Sequence, residues 1–340
     1  MKQFLIICCM LILCSCGSLQ SQLLNEKPSS RYYGVELHTP SFLPDGKSLL
    51  FCIQNKKGTT IYKLSIEGNS QPISLKNYSK FDYNPVCSPI GNKIVFESGN
   101  GETAADICLM DIDGSNKIAI TKSPDHDYNP IFSPDGSKIF FIRAKSFKKY
   151  SPIARKGWHD SDIYSINLDG SGLTRITNGN YYAINDLSVD PKGEKLLAYM
   201  MGRKFECCTI FEIPIKDPDN IKPIKPIINP KDTKLRLLRP FQRRSFDYDK
   251  LYNPKFCPIN ADILFMPNFD EIHIMSSKTG LSKKIIHLDE NEYTGIYDPP
   301  SFSFDGEKIV FIEQKTISFR KDSYTIWISN ADGSGKRNVF

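Results

Sequence analysis

The chain offers no apolar run long enough to span a bilayer as a helix. The unbroken stretch Phe4 to Leu13 is ten residues, where a span needs roughly 20. There is no GxSxG elbow, no HExxH, no CxxC pair and no P-loop, so the recognisable signatures of serine hydrolases, zinc proteases, metal-binding cysteine knuckles and nucleotide hydrolases are missing. No cofactor and no metal is expected. The formal charge of +6 over 340 residues is modest and does not mark a nucleic-acid binder. Six cysteines follow the first sixteen residues (Cys52, Cys87, Cys108, Cys207, Cys208, Cys257) without the spacing of a disulfide framework, and read as buried thiols. The five histidines are scattered. His126, between Asp125 and Asp127, reads as a surface-loop histidine rather than a metal or acid–base site.

What is present begins with the N-terminus. Lys2 and the apolar run suit a signal peptide over residues 1–15. Leu13-Cys14-Ser15-Cys16-Gly17 resembles a bacterial lipobox, and the resemblance implies cleavage before Cys16 and diacylglyceryl attachment to its sulfur. A second acyl chain would make the anchor stable, since one chain holds only marginally. Residues 16–31 are polar and read as a flexible tether. Gly17 is not a retention residue of the Asp type, so in a Gram-negative cell the resemblance implies the outer membrane, on its periplasmic face.

The rest of the chain repeats. HTPSFLPDGKSLLF (from His38), YNPVCSPIGNKIVF (Tyr83), YNPIFSPDGSKIFF (Tyr128), INDLSVDPKGEKLLAY (Ile184), YNPKFCPINADILF (Tyr252) and YDPPSFSFDGEKIVF (Tyr297) are copies of one segment. The turn positions Pro44, Pro89, Pro134, Pro191, Pro258 and Phe304 are separated by 45, 45, 57, 67 and 46 residues. A base period near 45 is that of a propeller blade of roughly 40–45 residues. Within a copy, Pro presets φ and Gly supplies positive φ for a tight turn between a short strand and an alternating apolar one. A third strand follows (Asp106 to Asp111, Asp162 to Ile166), then an Asp-Gly-Ser turn and a short strand ending in Ile-Thr. Four antiparallel strands per unit, repeated radially, predict an all-β, six-bladed β-propeller over residues 32–340.

FSPDGSKIFF followed by DIYSINLDGSGLTRIT resembles the TolB-type Pro-Asp propeller repeat, over about residues 38 to 340. TolB itself carries an additional N-terminal α/β domain, for which the stretch between Cys16 and the first repeat leaves no room. The resemblance therefore extends to the propeller alone. Ring closure is expected from Lys336 to Phe340, from Tyr32 to Leu37, or from both.

Two insertions should project from one face of the disc: Ala144 to Ser161, a loop between the second and third strands of the third unit, and Ile215 to Leu251. Both are basic. Arg143 to Asp160 nets +5 and Lys231 to Lys250 nets +4, so the remainder sums to −3. With interleaved aromatics, this face (Lys148, Lys149, Arg155, Lys156, Arg243, Arg244) suits an anionic partner: an envelope protein or an anionic glycan. A second candidate is the ring of Asp82, Tyr83, Asp127, Tyr128, Tyr252, Tyr297 and Asp298 where the first strands begin, at the channel mouth. Export disfavours nucleic acid. The leading expectation is a monomeric binding or scaffold propeller, lipid-anchored in the cell envelope, more readily a binder than an enzyme. The alternatives are a metal-dependent polysaccharide lyase, since some propellers with similar repeats are lyases, and a structural subunit of an envelope complex.

Overall fold

In the computed structural model, residues 35–68, 70–100, 104–149, 156–202, 208–228, 251–288, 294–318 and 321–340 are described, and every regular element among them is a β-strand. The Pro-Asp-Gly turns behave as local chemistry dictates. Asp45 Oδ1 accepts the amides of Lys47 and Ser48 at 2.8 and 2.9 Å, and Asp135 accepts that of Ser137 at 3.0 Å. Gly46 and Gly136 sit at φ +62 and +71, which glycine adopts without steric cost. The Asp-Gly-Ser turns repeat the device, with Asp113, Asp169 and Asp332 each accepting the amide of the following serine. The Ile-Thr ending also has a purpose. Thr121 and Thr177 each accept the amide of Ile107 and Ile163 at 2.9 Å and donate to Asp106 and Asp162.

These turns fold the chain into successive four-stranded antiparallel meanders, gathered into sheets of eight, four, four, five and five strands. The eight-stranded sheet is two meanders joined by one parallel bridge, Thr59 to Phe81. The innermost strands are Glu36–Phe42, Phe81–Cys87, His126–Phe132, Ala183–Val189 and Tyr252–Phe256, with the last meander contributing the pair Thr294–Ile296 and Ser301–Phe302. That last strand is split where Pro299 and Pro300 remove two ladder donors. Five of the meanders end in an outer strand of two residues, for example Ile73–Ser74 and Ile118–Ala119, and so present little unpaired edge; that of the fifth, Leu281–His287, is seven residues long.

A bulge recurs in the inner strands. The ladder slips between His38 and Ser41, Tyr83 and Val86, Asn185 and Ser188, and Tyr252 and Lys255, and the third inner strand is also irregular. The bulged residues Thr39, Asn84, Asn129, Asp186 and Asn253 have φ between +49 and +59. Asn and Asp tolerate this left-handed region better than other side chains, and a following proline needs a site outside the ladder. The Asn-Pro of the second, third and fifth copies is thus a bulge signature.

The first and last meanders share a core. Leu37, Phe42, Leu49 and Phe51 pack with Val310, Ile312, Ile326 and Ile328, and Phe340 lies 5.4 Å from Phe51, ring to ring. The C-terminus supplies the outer strand of the last meander, Arg337–Asn338, which pairs with Trp327 and Ile328. Glu36 and Leu37 pair with Gln54 and Ile53 of the first meander. Of the two closing segments expected, the C-terminal one therefore makes the strand, and Leu37 contributes packing; Tyr32 lies outside the described residues.

The first insertion differs from expectation. The described parts of the Ala144 to Ser161 segment, up to Lys149 and from Lys156, continue the blade as strands rather than leaving it as a loop. Lys138–Lys149 and Lys156–Asn167 pair from Lys138–Asn167 out to Lys149–Lys156. Cross-strand contact such as Phe147 against Trp158 keeps the ladder going. From the second insertion, Lys222–Pro223 is the outer strand of the fourth meander. Ile227–Ile228 runs parallel to Leu281 and Ser282 as a fifth strand of the next. Residues 229–250, with Arg243 and Arg244, lie outside the described residues, as do Cys16 and Arg155.

Candidate functional site

The extended hairpin rises from a buried foundation. Arg143 grips Asp127 through two hydrogen bonds, Nε to Oδ1 at 2.6 Å and Nη2 to Oδ2 at 2.7 Å, and its guanidinium lies over the rings of Tyr164 and Phe141. This arginine, counted with the basic face from sequence, is buried and neutralised. Above it an aromatic ladder climbs outward. Tyr128 stacks on His126 at 5.1 Å, His126 on Trp158 at 5.2 Å, and Trp158 meets Phe147 at 5.2 Å. Phe147 is 43 % exposed.

His126 corrects the expectation of a surface loop. It is fully buried, Nδ1 accepts the Ala105 amide at 3.0 Å, and burial pushes its pKa down to about 3. It is therefore a neutral ring with its proton on Nε2. The sequence hides this because Asp125 and Asp127 flank it, while the strand buries it between two aromatics.

The lysines of the hairpin divide. Lys148 bonds Asp160 at 2.8 Å, and Ser146 shares that carboxylate. Lys149 and Lys156 instead face each other across the ladder, both exposed, and among the described residues neither forms an ion pair. Like charges directly opposite one another destabilise a sheet. The arrangement leaves two cations beside an exposed aromatic at the hairpin's end.

The other sequence-derived set is engaged within the fold. Asp82 is buried and accepts hydrogen bonds from the Tyr78 and Ser79 amides and from Ser98 Oγ; burial lifts its pKa to about 6. Tyr83 donates to Gln54, and Tyr128 donates to the Ile184 carbonyl at 2.7 Å. Asp298, also buried, accepts the Thr39 amide and lies 3.4 Å from His38. Tyr252 is half-buried between Tyr199 and Phe269. Tyr297 alone of the seven is exposed, stacked on Phe269 at 5.1 Å. The carboxylates of Asp82 and Asp127 thus serve their own meanders, and that of Asp298 joins the last meander to the first.

The central channel expected from sequence is a cavity of about 430 Å³ lined by all the inner strands, and what was not anticipated is the lysine on its wall. Its wall carries Ser41, Val86, Ile131, Ser188, Lys255 and Ser301, one from each meander. Pro89, Pro134, Pro191, Pro258 and Phe304 place its opening on the Pro-Asp-Gly turn face. The signal was available: in YNPKF a lysine stands where YNPVC and YNPIF have Val86 and Ile131. Among the described residues no three His, Cys, Asp or Glu side chains converge as a metal-binding group, and the five described cysteines are buried and free.

Radial meanders of four antiparallel strands around a central channel define a β-propeller. The TolB β-propeller domain family matches residues 37–219, and the chain belongs to it. Solved structures share the fold at low identity. TolB from Acinetobacter baumannii is 17 % identical with a TM-score of 0.59, over 91 % of this chain and 64 % of that one. This chain thus spans less than two thirds of that protein's length. An oligogalacturonate lyase in complex with manganese is 13 % identical, TM-score 0.55, over 90 % of this chain and 78 % of that one. A Nidogen/Laminin complex is 10 % identical, TM-score 0.52, over 74 % and 80 %. No curated protein matches the chain in sequence.

Proposed function

We propose that this chain is a lipid-anchored binding protein of the cell envelope, a closed ring of six four-stranded blades over residues 32–340 that holds an anionic partner, a protein or a glycan, against the hairpin of its third blade. The observation that carries the reading is the unpaired Lys149–Lys156 couple beside exposed Phe147. A charge pair that weakens its own hairpin has its cost offset when a carboxylate-bearing surface arrives. The fold supports a binding role, because rigid blades hold loops and hairpins in fixed positions. Arg155, Arg243 and Arg244 extend the same basic character, and Tyr297 offers an aromatic surface at the channel mouth. The N-terminal sequence supplies the location: residues 1–15 as signal peptide, Cys16 as acylation site and residues 16–31 as tether, directed to the periplasmic face of the outer membrane in a Gram-negative cell.

The test is capture from crosslinked envelopes. The double variant K149E/K156E should lose partner recovery at least tenfold, with K148E, whose lysine is tied to Asp160, losing less. Equal recovery by wild type and double variant would defeat the proposal. Cys16→Ser should shift the protein from the membrane to the soluble fraction. Persistence in the membrane would remove the anchor from the account.

A further inference from the structure

We propose that the central cavity binds a small organic anion with an apolar body, its carboxylate held by the Lys255 ammonium and its body inserted from the Pro-Asp-Gly turn face. The site is independent of the hairpin, on the other face of the disc.

Lys255 is an exception to the repeat. The five wall positions equivalent to it are Ser41, Val86, Ile131, Ser188 and Ser301, all uncharged. Around the ring, neighbouring inner strands satisfy one another. Ser41 donates to the Pro85 carbonyl at 2.9 Å, Asn129 Oδ1 accepts the Leu187 amide at 2.8 Å, and Ser188 Oγ accepts the Phe256 amide at 2.9 Å. Lys255 joins this ring through a single bond, Nζ to the Leu187 carbonyl at 3.1 Å. An ammonium has three donors, and among the described residues it forms no ion pair. Asp190, also on the cavity lining, is spent on its own turn, where Oδ1 accepts the Glu194 and Lys195 amides at 2.7 Å.

Burial pulls the Lys255 pKa down and the nearby Asp186 carboxylate acts against that. An under-bonded cation in a low-dielectric wall favours an arriving anion, because the attraction is screened less than at the surface. The rest of the wall sets the hydroxyls of Ser41, Ser188 and Ser301 among the apolar side chains of Val86, Ile131, Phe42, Phe256 and Phe302. About 430 Å³ lies within the roughly 300–1,000 Å³ of small-molecule sites, which pair mostly apolar walls with a few placed polar groups.

The probes are decanoate and its uncharged counterpart decanol, competing with the fluorescent anion 8-anilinonaphthalene-1-sulfonate on the full chain. Decanoate should displace the dye at one equivalent and bind at least tenfold tighter than decanol. Lys255→Met should weaken decanoate at least tenfold, whereas K149E/K156E leaves it unchanged. On the wild-type protein, decanoate should protect Lys255 from reductive methylation, read by peptide mass spectrometry, so the outcome does not depend on the variant's folding. The proposal is overturned by equal decanoate affinity in a folded Lys255→Met protein, by decanol binding as well as decanoate, by no saturable decanoate binding at all, or by methylation of Lys255 indifferent to saturating decanoate.

Discussion

The two faces of the disc are built by different rules. The Pro-Asp-Gly face is made of short turns whose carboxylates and glycines repeat from copy to copy, as at Asp45, Asp135 and Asp305. What distinguishes the face is the cavity it surrounds. The opposite face carries the departures: the hairpin ending at Lys149 and Lys156, and the segment that sends Ile227–Ile228 to the next meander's edge. Regular turns fix the blades, and irregular connections between the same strands are left to differ. The hairpin is a feature of one blade, whereas the cavity is lined by every inner strand.

Arg143 gives the largest expected effect and tests where the hairpin's foundation ends. Arg143→Ala strands Asp127 as a buried carboxylate and should destabilise the fold by about 3–5 kcal/mol in a denaturant melt. Lys148→Ala, five residues further along the strand, should cost no more than about 1 kcal/mol because its ion pair with half-buried Asp160 lies near the surface. Similar losses for both would mean the hairpin is one cooperative unit, with no division between foundation and surface.

Ring closure supplies the next effect. Burial works against charge on His38, but Asp298 and Glu36 overcome it and raise its pKa to about 10. A histidine with a raised folded-state value stabilises the protein fully below the unfolded value of about 6.5 and loses that contribution as pH climbs through about 10. The melting temperature should therefore fall by several degrees between pH 7 and pH 10, and His38→Asn should flatten that slope. An unchanged slope in the variant would relieve the first–last seam of any electrostatic role.

The smallest effect sharpens the contrast between stability and function. Lys156→Glu converts a repelling cross-strand pair into an attracting one, so it should stabilise the chain by roughly 0.2–1 kcal/mol while weakening partner capture. A variant that loses stability and capture together would mean that the lysines serve the fold.

Much of the architecture was readable beforehand, because its signals are local. Pro, Asp and Gly set turn dihedrals within four residues, and apolar alternation marks each inner strand and its neighbour. Four-stranded repeats and the free cysteines followed from that. The Asn-Pro pairs were legible as structural without their geometry, since a bulge is defined only against a partner strand. The insertion at Ala144 reads as a loop in sequence because mixed lysines and aromatics carry little period; strand pairing, Phe147 against Trp158, makes its described parts a hairpin.

The sequence by itself determined the repeat, the turn chemistry and the sign of charge in each insertion, all set by residues adjacent in the chain. Only the tertiary structure decided which charges are spent and which remain. Arg143 meets Asp127 sixteen residues away, His126 is sealed under Trp158, and Lys255 faces a cavity whose other walls come from strands up to some two hundred residues distant. Pairing and desolvation depend on distance through space, and that distance exists only once the inner strands have been brought around a common centre.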